Sequence, residues 1–154
     1  MRRGEVEEYL REQIPLSAGM DISVVEASPD GVTIEAPLDP NVNHRSTAFG
    51  GSVAALAILA GWTLVHLRLR AEGLVTYTVI QSSAAHFDAP VSGPFRAVTE
   101  PVDDHAWEKF TRAITRHNKG RIGISVRVMS DGHAVASFTG AYVAIAGHKS
   151  AGDE

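Results

Sequence analysis

The chain has 154 residues, 44% apolar and 21% charged, with a formal net charge of −4. Its length suits one domain that buries most of the surface its unfolded form exposes, and its composition excludes disordered and fibrous classes. The mildly acidic balance argues against a nucleic-acid partner, and the absence of cysteine excludes disulfides, Cys-ligated zinc and a thiol nucleophile.

Taken in chain order, MRRGEVEEYLREQ has basic residues but no apolar run behind them. It is no secretory signal, and a cytoplasmic location is expected. Residues 5–13 predict a short amphipathic helix with Val6, Tyr9 and Leu10 on one face, ended by Pro15. ISVVEAS (22–28), the turn Ser28-Pro29-Asp30-Gly31 and VTIEAPL (32–38) predict a β-hairpin. A polar loop follows, then a helix from about Ser52 to Arg70 that closes at Gly73. Ser46 to Leu67 carries no formal charge, so length alone would allow a membrane span. The glycines, Ser52, Thr63, His66 and the many alanines better fit a helix surrounded by protein.

LVTYTVIQSSAAHF (74–87) is a long strand ended by Pro90, and GPFRAVTEPV (93–102) is a second, bounded by Gly93 and Pro101. DDHAWEKFTRAITRHNKG (103–120) reads either as a short helix opening at Asp103 or Asp104, or as the tip of a long hairpin. RIGISVRVMS (121–130) alternates, with Ile122, Ile124, Val126 and Val128 on one face and Ser125 and Arg127 on the other. Asp131-Gly132 is a hairpin turn, HAVASFTGAYVAIAG (133–147) the last strand, and HKSAGDE (148–154) a frayed tail. The expectation is a single α+β domain over 1–154, with 1–20 as N-terminal helix and lead-in. An antiparallel sheet would wrap around one long central helix. Such a sheet leaves an edge or face exposed, so a homodimer or a dimer of dimers is expected.

The loop NVNHRSTAFGG (41–51) sets polar, flexible residues at the mouth of the most apolar segment. A helix N-terminus presents unpaired N–H groups and partial positive charge. A carbonyl compound under attack gathers negative charge on its oxygen, and each N–H aimed there is worth about 3–4 kcal/mol to the transition state. Gly50 and Gly51 have no side chain to hold a carbonyl away, so the Gly51 N–H is the candidate oxyanion donor. Asn43 can orient a water through its amide oxygen or donate from its nitrogen. His44 suits proton transfer or substrate contact, or is a loop histidine satisfied by the backbone. The blander reading makes the whole stretch a connector, with Asn or Ser capping and Gly easing the turn.

These residues resemble a known family. The pieces that carry the likeness are IPLSAGM (14–20), VVEASPDGVTIEAPLDPNVNHRSTAFGGS (24–52), ALAILAGWTL (55–64), HFDAPVSG (86–93) and GRIGISVRVMSDGHAVASFTGAYVAI (120–145). Together they resemble hotdog-fold thioesterases of the YiiD C-terminal type, domains also found fused to acetyltransferases. The resemblance implies a hotdog fold and hydrolysis of an acyl thioester, on coenzyme A or an acyl carrier protein, in a site shared by two protomers. No cofactor or metal is implied. The family pattern places an aspartate before a serine where this chain has Ser82-Ser83, so Ser83 is kept and the carboxylate is lost. Many other hotdog thioesterases carry Asp or Glu in the central helix, and Ser52 to Arg70 has neither.

On those grounds Asn43, His44, Gly51, Ser82 and Ser83 are the candidate catalytic residues, with Arg45, Phe49, Gly50, Ser52 and His86 as substrate contacts. Ser82 and Ser83 point to opposite faces of their strand, and Ser83 shares its face with Ala85 and Phe87. Without a partner base Ser83 is not a covalent nucleophile. His86 and Asp88 are i, i+2 neighbours, either a base with its orienter or a surface pair. Histidines 105, 117, 133 and 148 lack metal-ligand spacing. Arg112, Arg116, Lys119 and Arg121 are locally basic; they read as the solvated side of a hairpin, or as contacts for coenzyme A phosphates or an acidic carrier protein. Two other activities stay open. A hydratase or dehydratase of this fold uses Asp, Asn and His, which Asp39 to His44 supplies in a different order, and a non-catalytic acyl-binding domain would need no carboxylate.

Overall fold

The short N-terminal helix α1 (Arg3–Gln13) buries Val6 and Leu10, four residues apart on one face. In the computed structural model, which describes residues 1–147, Pro15 does more than end it. It opens a second helix, α2 (Pro15–Gly19), because proline's fixed φ and missing N–H suit a first helical position. The sequence reading had only a lead-in here. The hairpin β1 (Ser23–Ser28) and β2 (Gly31–Ala36) turns as expected, with the Ser28 hydroxyl accepting from the amides of Asp30 (3.1 Å) and Gly31 (3.3 Å).

The central helix α3 (Gly50–Ala71) starts two residues before the sequence reading put it. It ends at Gly73 in the left-handed region (φ 75°), where the Gly73 amide donates to the Arg70 carbonyl and the Leu74 amide to the Leu69 carbonyl. An 18-residue window of it has a mean hydropathy of 1.6, and 61% of that window is buried by the rest of the chain. Strands β3 (Thr76–Phe87) and β4 (Phe95–Thr99) follow. The ambiguous 103–120 segment is a helix, α4 (Asp104–His117): the Asp103 carboxylate caps it by accepting from the Ala106 amide at 2.9 Å, and Asn118 closes it at φ 61°. Strands β5 (Lys119–Ser130) and β6 (His133–Ala146) are joined by Asp131-Gly132, both at positive φ, as a two-residue hairpin turn requires.

The six strands form one antiparallel sheet in the order β1-β2-β4-β5-β6-β3. Its inner face, with Ile34, Ala97, Ile122, Ile124, Val126 and Phe138, closes on Leu56, Ala60 and Leu64 of α3. Tyr142 is fully buried and donates to the Ile58 carbonyl at 2.7 Å. A side chain at Gly61 would put its Cβ 2.4 Å from that hydroxyl, so glycine lets strand and helix approach. α4 adds Trp107, Phe110 and Ile114 over β5, and the Trp107 indole donates to Glu72 beneath the Arg68 guanidinium.

The sheet's two edges differ. At β1, Glu7 of α1 accepts from the Val24 amide and Arg3 donates to the Val25 carbonyl, which blunts that edge. On β3 the side-chain contact described is that of the Trp62 indole with the Thr78 carbonyl, and Val75, just before the strand, Tyr77 and Val79 are exposed.

Candidate active site

The glycines read as loop are the first turn of α3. Phe49 precedes them in extended conformation and has no side-chain cap to offer. The amides of Ser52 and Val53 already donate to the Phe49 carbonyl, at 2.9 and 3.1 Å. Those of Gly50 and Gly51 meet no acceptor among the described residues. Two aligned N–H groups at the positive end of a 22-residue helix are donors that a developing oxyanion could accept from. The Phe49 ring lies against Gly51, where any Cβ would come within 2.4 Å of it, and the Phe87 ring stands 3.7 Å from the Cβ position of Gly50.

The loop before the helix is held by its own polar groups. Asn43 accepts through Oδ1 from the amides of Arg45 (2.8 Å) and Thr47 (3.2 Å) and donates from Nδ2 to the Thr47 hydroxyl (2.8 Å). Its amide is thus occupied as a loop brace and is not free to hold a water. Behind it, buried Asn41 donates to the carbonyls of Met20 and Pro37, and the Phe49 amide returns to the Asn41 carbonyl. His44 and Arg45 are exposed on the loop's outer side.

A depression of about 360 Å³ opens beside the helix start, lined by Asn43, Thr47, Gly50, Phe87, Asp88 and Val135 among others. Asp88 is a carboxylate on this wall, and it is exposed. β3 ends at Phe87, the Asp88 amide donates to the Val135 carbonyl at 2.9 Å, and the chain turns so that Asp88 lies on the same wall as Gly50. The sequence reading paired Asp88 with His86 by treating the strand as continuous. Its signal was its place, one residue past a strand end in HFDAP.

His86 pairs with Ser137 on the sheet's outer face and does not line the depression. An irregularity between Ile80 and Ser82 leaves Gln81 unpaired, so Ile80 and Ser83 both oppose inward positions, Tyr142 and Gly140. Ser83 therefore faces the helix side and Ser82 the outer side. Both are exposed on the open β3 edge, and Ser83 is four residues from Phe87, about 13 Å along the strand. Neither lines the depression.

Another face of α3 borders an almost wholly apolar cavity of about 290 Å³, between Leu16, Met20, Ala55, Ile58, Trp62 and Ile80, which shares no lining residue with the helix-start depression. Trp62 is fixed by donating to the Thr78 carbonyl at 2.7 Å and by stacking on His66 at 4.8 Å, which stacks in turn on Tyr9 at 5.2 Å. Burial, and secondarily the nearby Arg70 charge, hold the His66 imidazolium below its ordinary range. A wider groove of about 1000 Å³ crosses Glu35, Arg96 and Met129 on the outer face. It meets the helix-start depression only at Ala89, Pro90 and Val135, so its size does not make it the site.

A sequence model of the family described as "Putative thioesterase (yiiD_Cterm)" matches residues 3–146. The chain belongs to this family. Among solved structures, a protein of unknown function from Chlorobaculum tepidum aligns at 25% identity and a TM-score of 0.89, covering 94% of each chain. A putative thioesterase from Shewanella oneidensis aligns at 24% identity and TM-score 0.83, over 93% of this chain and 96% of that one. A thioesterase from Haemophilus influenzae aligns at 15% and 0.75, over 97% and 96%. At such identities these two structures establish the fold, which is the hotdog fold expected from the sequence.

Proposed function

We propose that this YiiD_C domain hydrolyses an acyl thioester. The observation that carries the reading is the pair of unpartnered amides at Gly50 and Gly51, the first of which lines a depression whose wall also holds Asp88. Asp88 takes a proton from water, and the water oxygen attacks the thioester carbonyl carbon. The oxyanion rests on the two glycine amides, the C–S bond breaks, and the leaving sulfur takes up a proton to give thiol and carboxylic acid. Asn43 acts as a positioning residue by bracing the loop, and Phe49 and Phe87 flank the reacting carbonyl.

The functional unit is a dimer paired through the β3 edges. That pairing satisfies the open ladder, covers Val75, Tyr77 and Val79, and sets Ser82 and Ser83 at the seam, where Ser83 faces the helix side. Release of free thiol from acyl-CoA and acyl-carrier substrates across a range of chain lengths is the direct test. Turnover with at least one class is expected, and absence of turnover with all of them rejects the reading. An absorbance change with crotonyl-CoA in place of thiol release would point to hydration instead.

A further inference from the structure

The cations of α4 have no part in the site described above. α4 turns Trp107, Phe110 and Ile114 onto the sheet. At 3.6 residues per turn the opposite ridge is His105, Lys109, Arg112 and Arg116, all exposed. Just past the left-handed Asn118, Lys119 and Arg121 add two more exposed cations. Residues 105–121 thus hold five Lys and Arg against a single carboxylate, Glu108, in a chain whose whole balance is −4. Elsewhere on the sheet's outer face arginine is paired, Arg96 with Glu35 and Arg127 with Glu100. None of these five makes an ion pair with a described residue. Like charges three and four apart destabilise a helix by about 0.2–0.5 kcal/mol per pair.

We propose that this ridge docks an acidic, pantetheine-bearing carrier domain, so that the acyl group arrives on a carrier protein and not on free coenzyme A. The proposal rests on the thioester reading above. Lys109, Arg112, Arg116, Lys119 and Arg121 line none of the three cavities, which argues against a nucleotide gripped in a recess. From His105 to Arg116 the ridge runs about 16 Å along one helix face, a length that suits another protein's surface. An acidic partner is repelled by the acidic remainder of the molecule and steered to this face.

Reach sets which site the docked carrier feeds. Within one protomer α4 sits at the far end of α3, tied by Arg68–Asp104 and Trp107–Glu72, and the 22 residues of α3 span about 33 Å. A pantetheine arm of roughly fifteen bonds extends about 20 Å and falls short. Across the β3 seam the geometry changes. Lys119, Ile145 and Tyr77 form one row across β5, β6 and β3, and the opposite end of β3, at Phe87, adjoins Gly50. In the dimer proposed above, a two-fold axis through the middle of β3 lays the second copy's Phe87 one strand beyond Tyr77, with that copy's helix start beneath it on the inner face. In the plane of the sheet that strand end is about 15 Å from Lys119, three strand spacings. A carrier docked on one protomer feeds the site of the other.

The test compares wild type with the double reversal R112E/R116E on a hexanoyl-loaded bacterial acyl carrier protein and on hexanoyl-CoA, at low and physiological salt. On the carrier, kcat/KM is expected to fall about tenfold or more through KM and to lose the wild type's salt dependence, while hexanoyl-CoA stays within about twofold. Equal loss on both substrates overturns the proposal in favour of a coenzyme A phosphate site, and no loss on either leaves a merely solvated helix face. Calorimetric titration with the unacylated holo-carrier reads docking apart from hydrolysis. Binding by wild type and not by the reversal supports docking even if no thioester is cleaved, in which case only the thioesterase reading fails. No binding by wild type overturns docking. Co-expressing an Asp88→Asn protomer with an R112E/R116E protomer tests the crossing: recovered carrier hydrolysis supports delivery across the seam, and none refutes it.

Discussion

Replacing Gly50 by proline deletes one of the two free amides and leaves the fold intact. Position 50 is the first residue of α3, where proline is well tolerated. Phe49 before it already has φ −63° and ψ 130°, the extended conformation a residue preceding proline prefers. A Cβ at Gly50 would meet the Phe87 ring at 3.7 Å, an ordinary contact, and the N–H removed bonds to nothing among the described residues. The fold should therefore gain about 0.4–1 kcal/mol from the stiffer unfolded chain. Catalysis should lose about 2.7–4 kcal/mol, or 10²–10³ in kcat, the cost of one oxyanion donor. Gly50→Ala, which keeps the N–H, is the control and should retain turnover. Steady-state thiol release and a thermal melt on the three proteins read both effects. A proline variant that turns over at the alanine variant's rate refutes the assignment of that amide.

Asp88→Asn keeps the shape and removes the base, so kcat should fall by about 10² to 10⁴ with the melting temperature unchanged; full activity would move the base elsewhere. Gly61→Ala drives a Cβ to 2.4 Å from the Tyr142 hydroxyl and should cost about 1–3 kcal/mol in denaturant unfolding. Adding Tyr142→Phe should recover part of that, and no recovery would mean the clash is not the cause. Val79→Lys places a charge on the β3 edge and should split the proposed dimer in sedimentation, whereas an unchanged mass would remove β3 from the interface. His66 titrates below its ordinary value in the folded chain, so the unfolded chain binds its proton first as pH falls. Stability from neutral His66 is complete above about pH 6.5 and declines below it. His66→Phe should flatten that acid limb of melting temperature against pH, and an unchanged slope would assign it to other groups.

The elements that could be read from sequence were those with a local code. The alternation of Ile122, Ile124, Val126 and Val128 and the Asp131-Gly132 turn set β5 and β6 before any tertiary contact is considered. Asp103 could have decided α4, since its carboxylate caps the helix, but a polar amphipathic segment also suits a long hairpin tip. Pro15 was legible as a stop and not as a start, although proline serves as both. Gly50 and Gly51 read as loop because glycine has poor helix propensity, yet burial of the rest of α3 extends the helix through them. Asp88 was legible only as a neighbour of His86, because its place on the wall of the depression depends on β3 stopping at Phe87 and on the Asp88 amide meeting the Val135 carbonyl. The Asn43 side chain closes on its own loop, an outcome that depends on local geometry and not on residue type. The expected frayed tail, 148–154, lies outside the described residues.

A structure of the protein with a non-hydrolysable thioester analogue, an S-to-CH₂ acyl pantetheine, measures the claim on which the rest depends. The carbonyl oxygen should lie about 2.7–3.1 Å from the Gly50 or Gly51 nitrogen, with the Asp88 carboxylate facing the carbonyl carbon through one water. An analogue bound elsewhere, or a second copy's chain filling those two amides, would contradict it.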